Sequence, residues 1–334
     1  MLGVVAHYNL LERVGEGVVG DVYRARDTRV GRTVALKLQR EVAPVESVRH
    51  QRLVDDARLA ATMSHPNIAT LFDVGYHEGR LYLAYEFVQG TTLRQQMEGR
   101  PMNARHALDL AVQVADALEH AHSHSVVHKD LRPDTIVETA KGSAKVLDFG
   151  MSAWTRGGQT RALAAAAPHS IGAESVLVLS YASPEQALGG RVDARTDIFS
   201  LGTIVYEMLT GANPFVGADA ETTLVNLMHH VPSPPSSLVP ELPRMVDMVL
   251  ARAVTRDLAR RTESAGRLAS ELRRCVDNLE PRGREPSDAM AAPLLGKKPG
   301  DLLPLEDDRG GLGVWWIVAV LGAGLAATVY FWLK

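Results

Sequence analysis

Apolar and polar positions divide the chain into a first part with strand-like patterning and a second part with helical spacing. Short runs rich in β-branched and aromatic residues, bounded by turn residues, predict strands. The predicted strands are Tyr8 to Val14, Val18 to Asp27, Thr33 to Gln39, Ile68 to Tyr76 and Arg80 to Phe87. One helix is predicted among them, from about Val45 to Met63. It should end there because a helix usually stops before a proline, and Pro66 follows closely. We therefore expect a β-rich small lobe over about residues 8–88.

From Thr91 onward, apolar residues recur at helical spacing. The predicted helices are Ala104 to His122, Thr196 to Thr210, Ala218 to His230, Arg244 to Ala253 and Ser264 to Asn278. The expected fold class is α+β, with a helical large lobe over about residues 89–278.

The end of the chain has a different pattern. Residues 279–313 hold prolines, glycines and charges with little periodicity, which is typical of a flexible linker. Val314 to Leu333 follows as 20 residues without a charge, with tryptophan or tyrosine near both ends. As a helix it would be about 30 Å long, the thickness of a bilayer core. We predict a single transmembrane helix over residues 314–333, and the alternative is a buried core helix.

Composition excludes several classes of protein. With 46% hydrophobic and 22% charged residues, the chain is neither wholly disordered nor collagen-like. Its 36 basic and 39 acidic residues give a formal net charge of −3, which does not indicate a nucleic-acid binder. Cys275 is the single cysteine, so an intramolecular disulfide and a multi-cysteine zinc site are both impossible. The N-terminus lacks the pattern of a cleaved signal peptide.

A glycine-rich segment is the first sign of chemistry. Gly15, Gly17 and Gly20 form a G-x-G-x-x-G pattern between two predicted strands. A dinucleotide-binding turn with this pattern would instead join a strand to a helix. Lys37 stands 17 residues after Gly20, on the next predicted strand. The arrangement fits a glycine hairpin over ATP phosphates with one cation below it.

Two further motifs make a family recognisable. The run His128 to Thr135 reads HKDLRPDT, and Asp148-Phe149-Gly150 begins 18 residues after Asp130. Together with the glycines and Lys37, these motifs make the chain resemble a bacterial Hanks-type (eukaryotic-like) serine/threonine protein kinase. The resemblance covers Tyr8 to Asn278. It includes the further matches His65 to Ile68, Ser183 to Glu185, Asp197 to Gly202, and Arg261.

The resemblance implies a role for each matched residue. Asp130 would orient the acceptor hydroxyl with help from Arg132, and Asp148 with Thr135 would hold Mg²⁺, or Mn²⁺ as an alternative. The nucleotide-binding residues would be Gly15, Gly17, Gly20, Val22, Ala35, Lys37, Glu86, Val88 and Val137, with Tyr85 at the gatekeeper position. The structural residues would be Asp56, Asp197, Glu185 and Arg261. The implied reaction is transfer of the γ-phosphoryl group of ATP to serine or threonine hydroxyls of protein substrates.

The sequence departs from the family pattern at five places. Thr135 replaces the asparagine that binds the second metal ion, and Asp56 replaces the helix glutamate that pairs with Lys37. Arg132 stands for a lysine and Lys129 for an arginine, so each keeps its charge in a different shape. Leu177-Val178 stand where a Gly-Thr pair normally aligns the substrate.

These departures leave two functional classes open. Lys37, Asp130 and Asp148 favour an active kinase. Thr135, Asp56 and Leu177-Val178 favour a membrane-tethered pseudokinase that acts as a nucleotide-binding or scaffold regulator. Another phosphotransferase on the same fold is a third alternative.

The predicted membrane helix implies a location for the kinase domain. The domain should face the cytoplasm, where ATP is, with the chain held at the cell membrane. Ala319, Ala323 and Ala327 have the small-residue spacing of packed membrane helices, so a homodimer is an alternative to an unpaired helix. The residues His120, His122, His124 and His128 are interpreted as structural rather than as a metal cluster. Candidate phosphorylation sites are Thr155, Thr160, Ser170 and Ser175.

Overall fold

In the computed structural model, the described residues are 2–16, 20–40, 48–150 and 173–279. The first part is an antiparallel six-stranded sheet with the strand order β1-β2-β3-β4-β6-β5. Its strands are β1 (Gly3–Val5), β2 (Tyr8–Glu16), β3 (Gly20–Asp27), β4 (Thr33–Gln39), β5 (Leu71–His77) and β6 (Arg80–Glu86). Helix α1 (Val48–Ala60) lies between β4 and β5 in the chain.

The second part is mainly helical and contains a small three-stranded sheet. The strands of that sheet are β7 (Gly90–Thr92), β8 (Ile136–Thr139) and β9 (Ala144–Val146). The helices are α2 (Leu93–Met97), α3 (Ala104–Ser123), α4 (Ala173–Ser180), α5 (Pro184–Ala187), α6 (Arg195–Thr210), α7 (Ala220–His229), α8 (Pro235–Leu238), α9 (Arg244–Ala253) and α10 (Ala265–Asp277). A 3₁₀ turn, Pro133–Thr135, immediately precedes β8.

The helix starts follow from local side-chain chemistry. Asn103, Asp219 and Ser264 each accept a hydrogen bond from a backbone N–H in the first turn of α3, α7 and α10 respectively. Such caps satisfy donors that a helix start leaves without an intrahelical partner. The three sites show why short polar side chains precede these apolar runs.

The principal core joins the inner face of the large sheet, the face toward the helices, to the helical part. It contains residues from α1, β6, α3, α6, α9 and α10 in one continuous hydrophobic cluster. Helix α6 is buried along nearly its whole length. Gly202 of α6 allows helix α9 to approach closely. A Cβ at Gly202 would lie 2.7 Å from the Cβ of Ala253. The buried α6 therefore provides a rigid base for the loops that contact it.

The sequence prediction of a β-rich small lobe followed by a helical large lobe is confirmed. The predicted long elements appear with ends shifted by a few residues; for example, the helix expected from Val45 to Met63 is described as Val48–Ala60. The sequence did not predict β1, β7, β8, β9, α2 or the helical form of α4, all of which are short. The predicted linker from residue 280 and the predicted transmembrane helix lie outside the described residues. Within the described ranges, no helix has the length and apolar character needed to cross a membrane.

Candidate active site

The large sheet presents the predicted nucleotide residues on one face. Val34, Leu36 and Leu38 of β4 pack into a separate hydrophobic cluster on the outer face. Because side chains alternate along a strand, Ala35 and Lys37 lie on the inner face. Val22 is the cross-strand partner of Lys37 and therefore shares that face. The geometry brings Val22, Ala35 and Lys37 together, as the sequence predicts.

The glycine pattern has a direct steric reason at one of its positions. A Cβ at Gly20 would lie 2.0 Å from the carbonyl oxygen of Leu38, so β3 could not pair with β4 in this register. Gly15 faces Val22 across β2 and β3, and a Cβ there would lie 3.9 Å from the Val22 Cβ. Gly17 lies outside the described residues. Gly20 is therefore the position of the pattern at which the structure requires a glycine.

Lys37 makes its ion pair with Asp148. Its Nζ contacts Asp148 Oδ1, and both side chains are mostly buried. Burial by itself raises the pKa of Asp148, but Lys37, followed by His128 and Arg132, lowers it below the ordinary value. The Asp148 carboxylate is therefore ionised at neutral pH. A carboxylate oxygen is a ligand type that Mg²⁺ uses, and the Lys37 ammonium beside it carries the charge that a polyphosphate would pair with.

The expected pairing of Lys37 with Asp56 is not found among the described contacts. Helix α1 instead packs closely against Gly150, two residues after Asp148. A Cβ at Gly150 would lie 2.6 Å from the Ala60 Cβ and 3.0 Å from the Asp56 carbonyl oxygen. Gly150 also has a φ of +79°, which favours glycine. The shorter side chain of aspartate allows this pair to loosen, and Lys37 contacts Asp148 instead.

The predicted catalytic loop is held from below by Asp197 of α6. This fully buried carboxylate accepts hydrogen bonds of 2.8 Å from the backbone N–H groups of His128 and Lys129. His122 Nε2 lies 2.8 Å from the same carboxylate. Burial raises the pKa of Asp197, but the hydrogen bond with His122 and the nearby imidazoles lower it. Asp197 thus occupies the structural position that the sequence predicts.

The loop places Asp130 next to Arg132. Asp130 is 9% exposed, and its Oδ1 lies 3.4 Å from Arg132 Nε. The backbone N–H of Asp130 donates to His128 Nδ1 at 3.2 Å. The guanidinium beside the carboxylate can hold it in place, and a carboxylate in this position can accept the proton of an acceptor hydroxyl.

The Thr135 hydroxyl is engaged within the same loop. It donates to the carbonyl oxygen of Arg132 at 2.9 Å and accepts from the Arg132 N–H at 3.1 Å. Thr135 is only 2% exposed. Its one proton and one of its lone pairs are therefore occupied by the backbone, which leaves little capacity for the predicted metal contact. The donor set fits one magnesium ion through Asp148 and phosphate oxygens better than two ions.

The end of β6 and the two residues after it contain the predicted nucleotide-binding residues Glu86 and Val88, and we call residues 86–88 the hinge. The Glu86 backbone N–H donates to the Thr70 carbonyl at 2.8 Å. Its side chain forms an ion pair of 2.8 Å with Lys145 of β9. Val88 follows Glu86 by two residues, and Val137 of β8 is buried at 6% exposure. The sequence analysis missed Lys145, because no local motif indicates that a β9 side chain will anchor the hinge.

Glu185 and Arg261 form a second structural connection. Two hydrogen bonds of 2.7 and 3.1 Å join the carboxylate to the guanidinium, and the Arg261 side chain is fully buried. Burial raises the pKa of Glu185, but the contact with Arg261 lowers it. This pair joins the start of α5 to the loop before α10, the arrangement that the sequence motif implied.

Leu177 and Val178 lie in helix α4. Val178 is 8% exposed and borders a small cavity together with Asp130 and Gln186. Gln186 Nε2 donates to the Lys129 carbonyl at 2.5 Å. Val178 therefore contributes apolar packing beside the catalytic loop where the family pattern has a polar hydroxyl, while Leu177 is exposed. Thr155, Thr160, Ser170 and the Ser175 side chain lie outside the described residues.

The rings of His65, His120 and His124 lie next to one another at tilted angles. The ring centroids of His120 and His124 are 4.4 Å apart, and those of His65 and His120 are 5.2 Å apart. No group of three potential metal ligands with suitable geometry occurs in the described part of the chain.

A groove away from this site has a volume of about 360 Å³ and is lined mainly by apolar residues of α6, α9 and the segment after α7. It contains none of the predicted catalytic or nucleotide-binding residues.

Comparison with known proteins agrees with the site geometry. The model of the protein kinase domain family matches residues 8–265. The chain belongs to the protein kinase family. The prediction of a bacterial Hanks-type kinase is confirmed at this level.

Two bacterial relatives of this kinase-family chain illustrate the similarity. It is 33% identical over 300 residues to a probable serine/threonine-protein kinase of Streptomyces coelicolor, covering 88% of this chain and 43% of the relative. It is 33% identical over 332 residues to serine/threonine-protein kinase PknB of Mycobacterium tuberculosis, covering 92% of this chain and 51% of PknB. The chain thus spans about half the length of these curated relatives.

A solved structure shows the same fold. A variant of the Mycobacterium tuberculosis PknI kinase domain is 25% identical, with a TM-score of 0.63. The match covers 82% of this chain and 97% of the PknI chain. The kinase fold that the sequence predicted is therefore confirmed for the two lobes.

Proposed function

We propose that this chain is an ATP-dependent serine/threonine protein kinase in bacterial signalling. The observation that carries the proposal is a chain of contacts between the predicted groups. Asp197 holds the backbone of the loop that contains Asp130, the His128 ring of that loop contacts the Leu147 carbonyl beside Asp148, and Asp148 pairs with Lys37. Family membership and the names of the bacterial relatives support the same activity.

Each charged group has a distinct part in the proposed reaction. Lys37 would hold the α- and β-phosphates, and Asp148 would hold Mg²⁺. Magnesium would neutralise charge on the phosphate oxygens. Asp130 would orient the serine or threonine hydroxyl and accept its proton, while Arg132 would keep the carboxylate in place. Transfer breaks the bond between the β–γ bridging oxygen and the γ-phosphorus and forms the bond between that phosphorus and the acceptor oxygen.

The acceptor type provides the test of this function. The full chain would be incubated with γ-labelled ATP, a generic protein acceptor and either Mg²⁺ or Mn²⁺, and the labelled amino acids would be separated. We expect label on serine or threonine and none on tyrosine. Label on tyrosine alone, or hydrolysis of ATP with no labelled amino acid, would contradict the proposal.

One observation favours a second candidate, a pseudokinase that binds nucleotide or acts as a scaffold. The Thr135 hydroxyl is occupied within the loop, so the second metal position of the family lacks its usual ligand. A scaffold would bind ATP weakly or without metal. Nucleotide affinity measured with and without Mg²⁺ separates the two functions, since an active site built around Asp148 should bind more tightly with the metal.

We propose in addition that residues 314–333 anchor the chain in the cell membrane with the kinase domain on the cytoplasmic side. The proposal is supported by the 20 uncharged residues and by Lys297, Lys298 and Arg309 before them, against Lys334 after them. Membrane fractionation of the full chain and of a chain ending at residue 313 tests it. Recovery of both chains in the soluble fraction would contradict an anchor.

A further inference from the structure

The segment from Leu147 to Gly150 has a backbone that requires support. Asp148 has a φ of +69°, a left-handed conformation that is uncommon for a residue with a side chain. Such a conformation persists only where surrounding contacts fix it. The direction of the Asp148 carboxylate therefore depends on the groups that hold its two neighbours.

Three side chains hold this segment. The His128 ring contacts the Leu147 carbonyl oxygen at 2.8 Å, on the N-terminal side of Asp148. Lys37 contacts the Asp148 carboxylate itself. Tyr85 donates its hydroxyl to the Phe149 carbonyl oxygen at 3.0 Å, on the C-terminal side. The segment is thus fixed before, at and after the strained residue.

Tyr85 is well placed for such a task. It is 3% exposed on β6, and its ring centroid lies 5.8 Å from Lys37 Nζ. Burial, with a contribution from Asp148, raises the pKa of Tyr85 well above its ordinary value. The hydroxyl therefore stays protonated and remains a donor at physiological pH. One side chain consequently contacts Lys37 through its ring and the Asp148 segment through its hydroxyl.

We propose that the Tyr85 hydroxyl is a positioning group that fixes the direction of the Asp148 carboxylate by holding the Phe149 carbonyl. The inference concerns metal binding at the site of the proposed kinase function. The competing explanation is that Tyr85 only fills space, in which case its ring matters and its hydroxyl does not.

The test uses Tyr85→Phe in the full chain, which removes the hydroxyl and keeps the ring. The matched control is Tyr82→Phe in the same strand. The Tyr82 hydroxyl donates to Asp73 at 3.2 Å, and Tyr82 belongs to the outer hydrophobic cluster. Both variants lose one hydrogen bond from a buried tyrosine, but only one of those bonds reaches the Asp148 segment.

Two measurements are made on each protein. The first is binding of a fluorescent ATP analogue as a function of Mg²⁺ concentration, with a metal-free titration alongside. The second is amide hydrogen exchange of the peptide that contains residues 147–150, without nucleotide. For Tyr85→Phe we expect the Mg²⁺ concentration at half-maximal enhancement to rise about 3- to 10-fold, the equivalent of one hydrogen bond. We also expect a change in metal-free affinity that is smaller than this shift, and faster exchange of the segment.

The outcomes separate this inference from the proposed function. Wild-type values for Tyr85→Phe, equal shifts in Tyr82→Phe, or a uniform loss of affinity with and without metal would overturn the positioning role. Absence of any Mg²⁺-dependent binding in the wild-type chain would overturn it as well. If the wild-type chain binds Mg²⁺ and nucleotide but transfers no phosphate, the kinase proposal fails, while the Mg²⁺ titration and hydrogen exchange still decide the role of Tyr85.

Discussion

At the scale of single residues, the contacts of the Thr135 hydroxyl differ most from those that the sequence predicts. The sequence analysis assigns it to a metal ion, while the structure shows it bound to the backbone of Arg132 on both its donor and acceptor sides. A threonine at this position therefore stabilises the turn Pro133–Thr135. The two roles lead to different behaviour in a variant without the hydroxyl.

Thr135→Val keeps the shape of the side chain and removes the hydroxyl. We expect the free energy of unfolding to fall by about 1–3 kcal/mol, because the partly buried backbone N–H and carbonyl of Arg132 each lose a hydrogen bond. Urea denaturation measures this change, and Thr135→Ser serves as the control that retains the hydroxyl. Unchanged stability together with weaker Mg²⁺-dependent nucleotide binding would instead support the metal role.

Motif spacing predicts which charged residues meet, but it does not predict the bonds of each hydroxyl. Lys37, Asp130 and Asp148 could be assigned from the sequence because their order and separation are characteristic. The bonds of Tyr85 to Phe149 and of Lys145 to Glu86 join positions 64 and 59 residues apart. No local pattern carries that information, because these contacts exist only after β6 has packed above the segment after β9.

At the scale of elements, a buried ion pair joins α5 to the segment before α10. Arg261 has a fully buried side chain, and it also donates to the carbonyl oxygens of Thr255 and Arg195. A buried charge that loses its partner is costly, because water cannot replace the lost contact. The connection between these elements should therefore be much more sensitive to substitution than a surface pair.

Arg261→Met removes the guanidinium and keeps much of the apolar stem. We expect a loss of about 3 kcal/mol or more in the free energy of unfolding, since Glu185 is left without its main partner. The control is Arg273→Met, whose half-exposed guanidinium pairs with Asp116 and should cost less than about 1 kcal/mol. Equal losses in thermal or urea unfolding would show that Arg261 is not a special anchor.

His65 gives the contact between α3 and the loop before β5 a dependence on pH. Burial lowers the pKa of His65 below 6.5, and His120 and Lys145 lower it further, while Asp116 opposes them. A histidine with a lowered pKa in the folded protein stabilises the fold above its unfolded pKa. That stabilisation is lost as pH falls below about 6.5, because the unfolded chain then binds more protons.

We expect His65→Gln to reduce the loss of stability between pH 7.5 and about 5.5. The contribution of one histidine has a slope of at most about 1.4 kcal/mol per pH unit. Urea denaturation across this range measures it, and His230→Gln at an exposed position is the control. An unchanged slope in His65→Gln would exclude His65 as a source of acid sensitivity.

Long elements could be predicted and short ones could not. Helix α3 repeats its apolar positions over five turns, so its limits are nearly those expected. Strands β7 and β9 have three residues each and exist because β8 lies between them. Helix α4 contains Val178 and Leu179, whose burial depends on neighbouring elements rather than on a local period.

At the scale of the whole molecule, the two lobes meet where the charged residues converge. Lys37 belongs to the large sheet, and Asp130 belongs to the loop that Asp197 holds from α6. The order of motifs predicts this meeting, since the family places its glycines, lysine and aspartates in that order. The contacts that orient Asp148 and limit Thr135 could not be predicted, because they depend on the final packing of both lobes.

The most direct measurement is the rate of phosphoryl transfer from γ-labelled ATP by the full chain, compared with Asp130→Asn. The substitution keeps the size of the side chain and removes the carboxylate that would accept the hydroxyl proton. With the wild-type chain we expect labelled serine or threonine. With Asp130→Asn we expect a rate that is reduced at least about 100-fold, while the thermal stability of the two proteins is equal. A folded wild-type chain that transfers no label, or an Asp130→Asn chain that transfers it equally well, would contradict the assignment of an active kinase site.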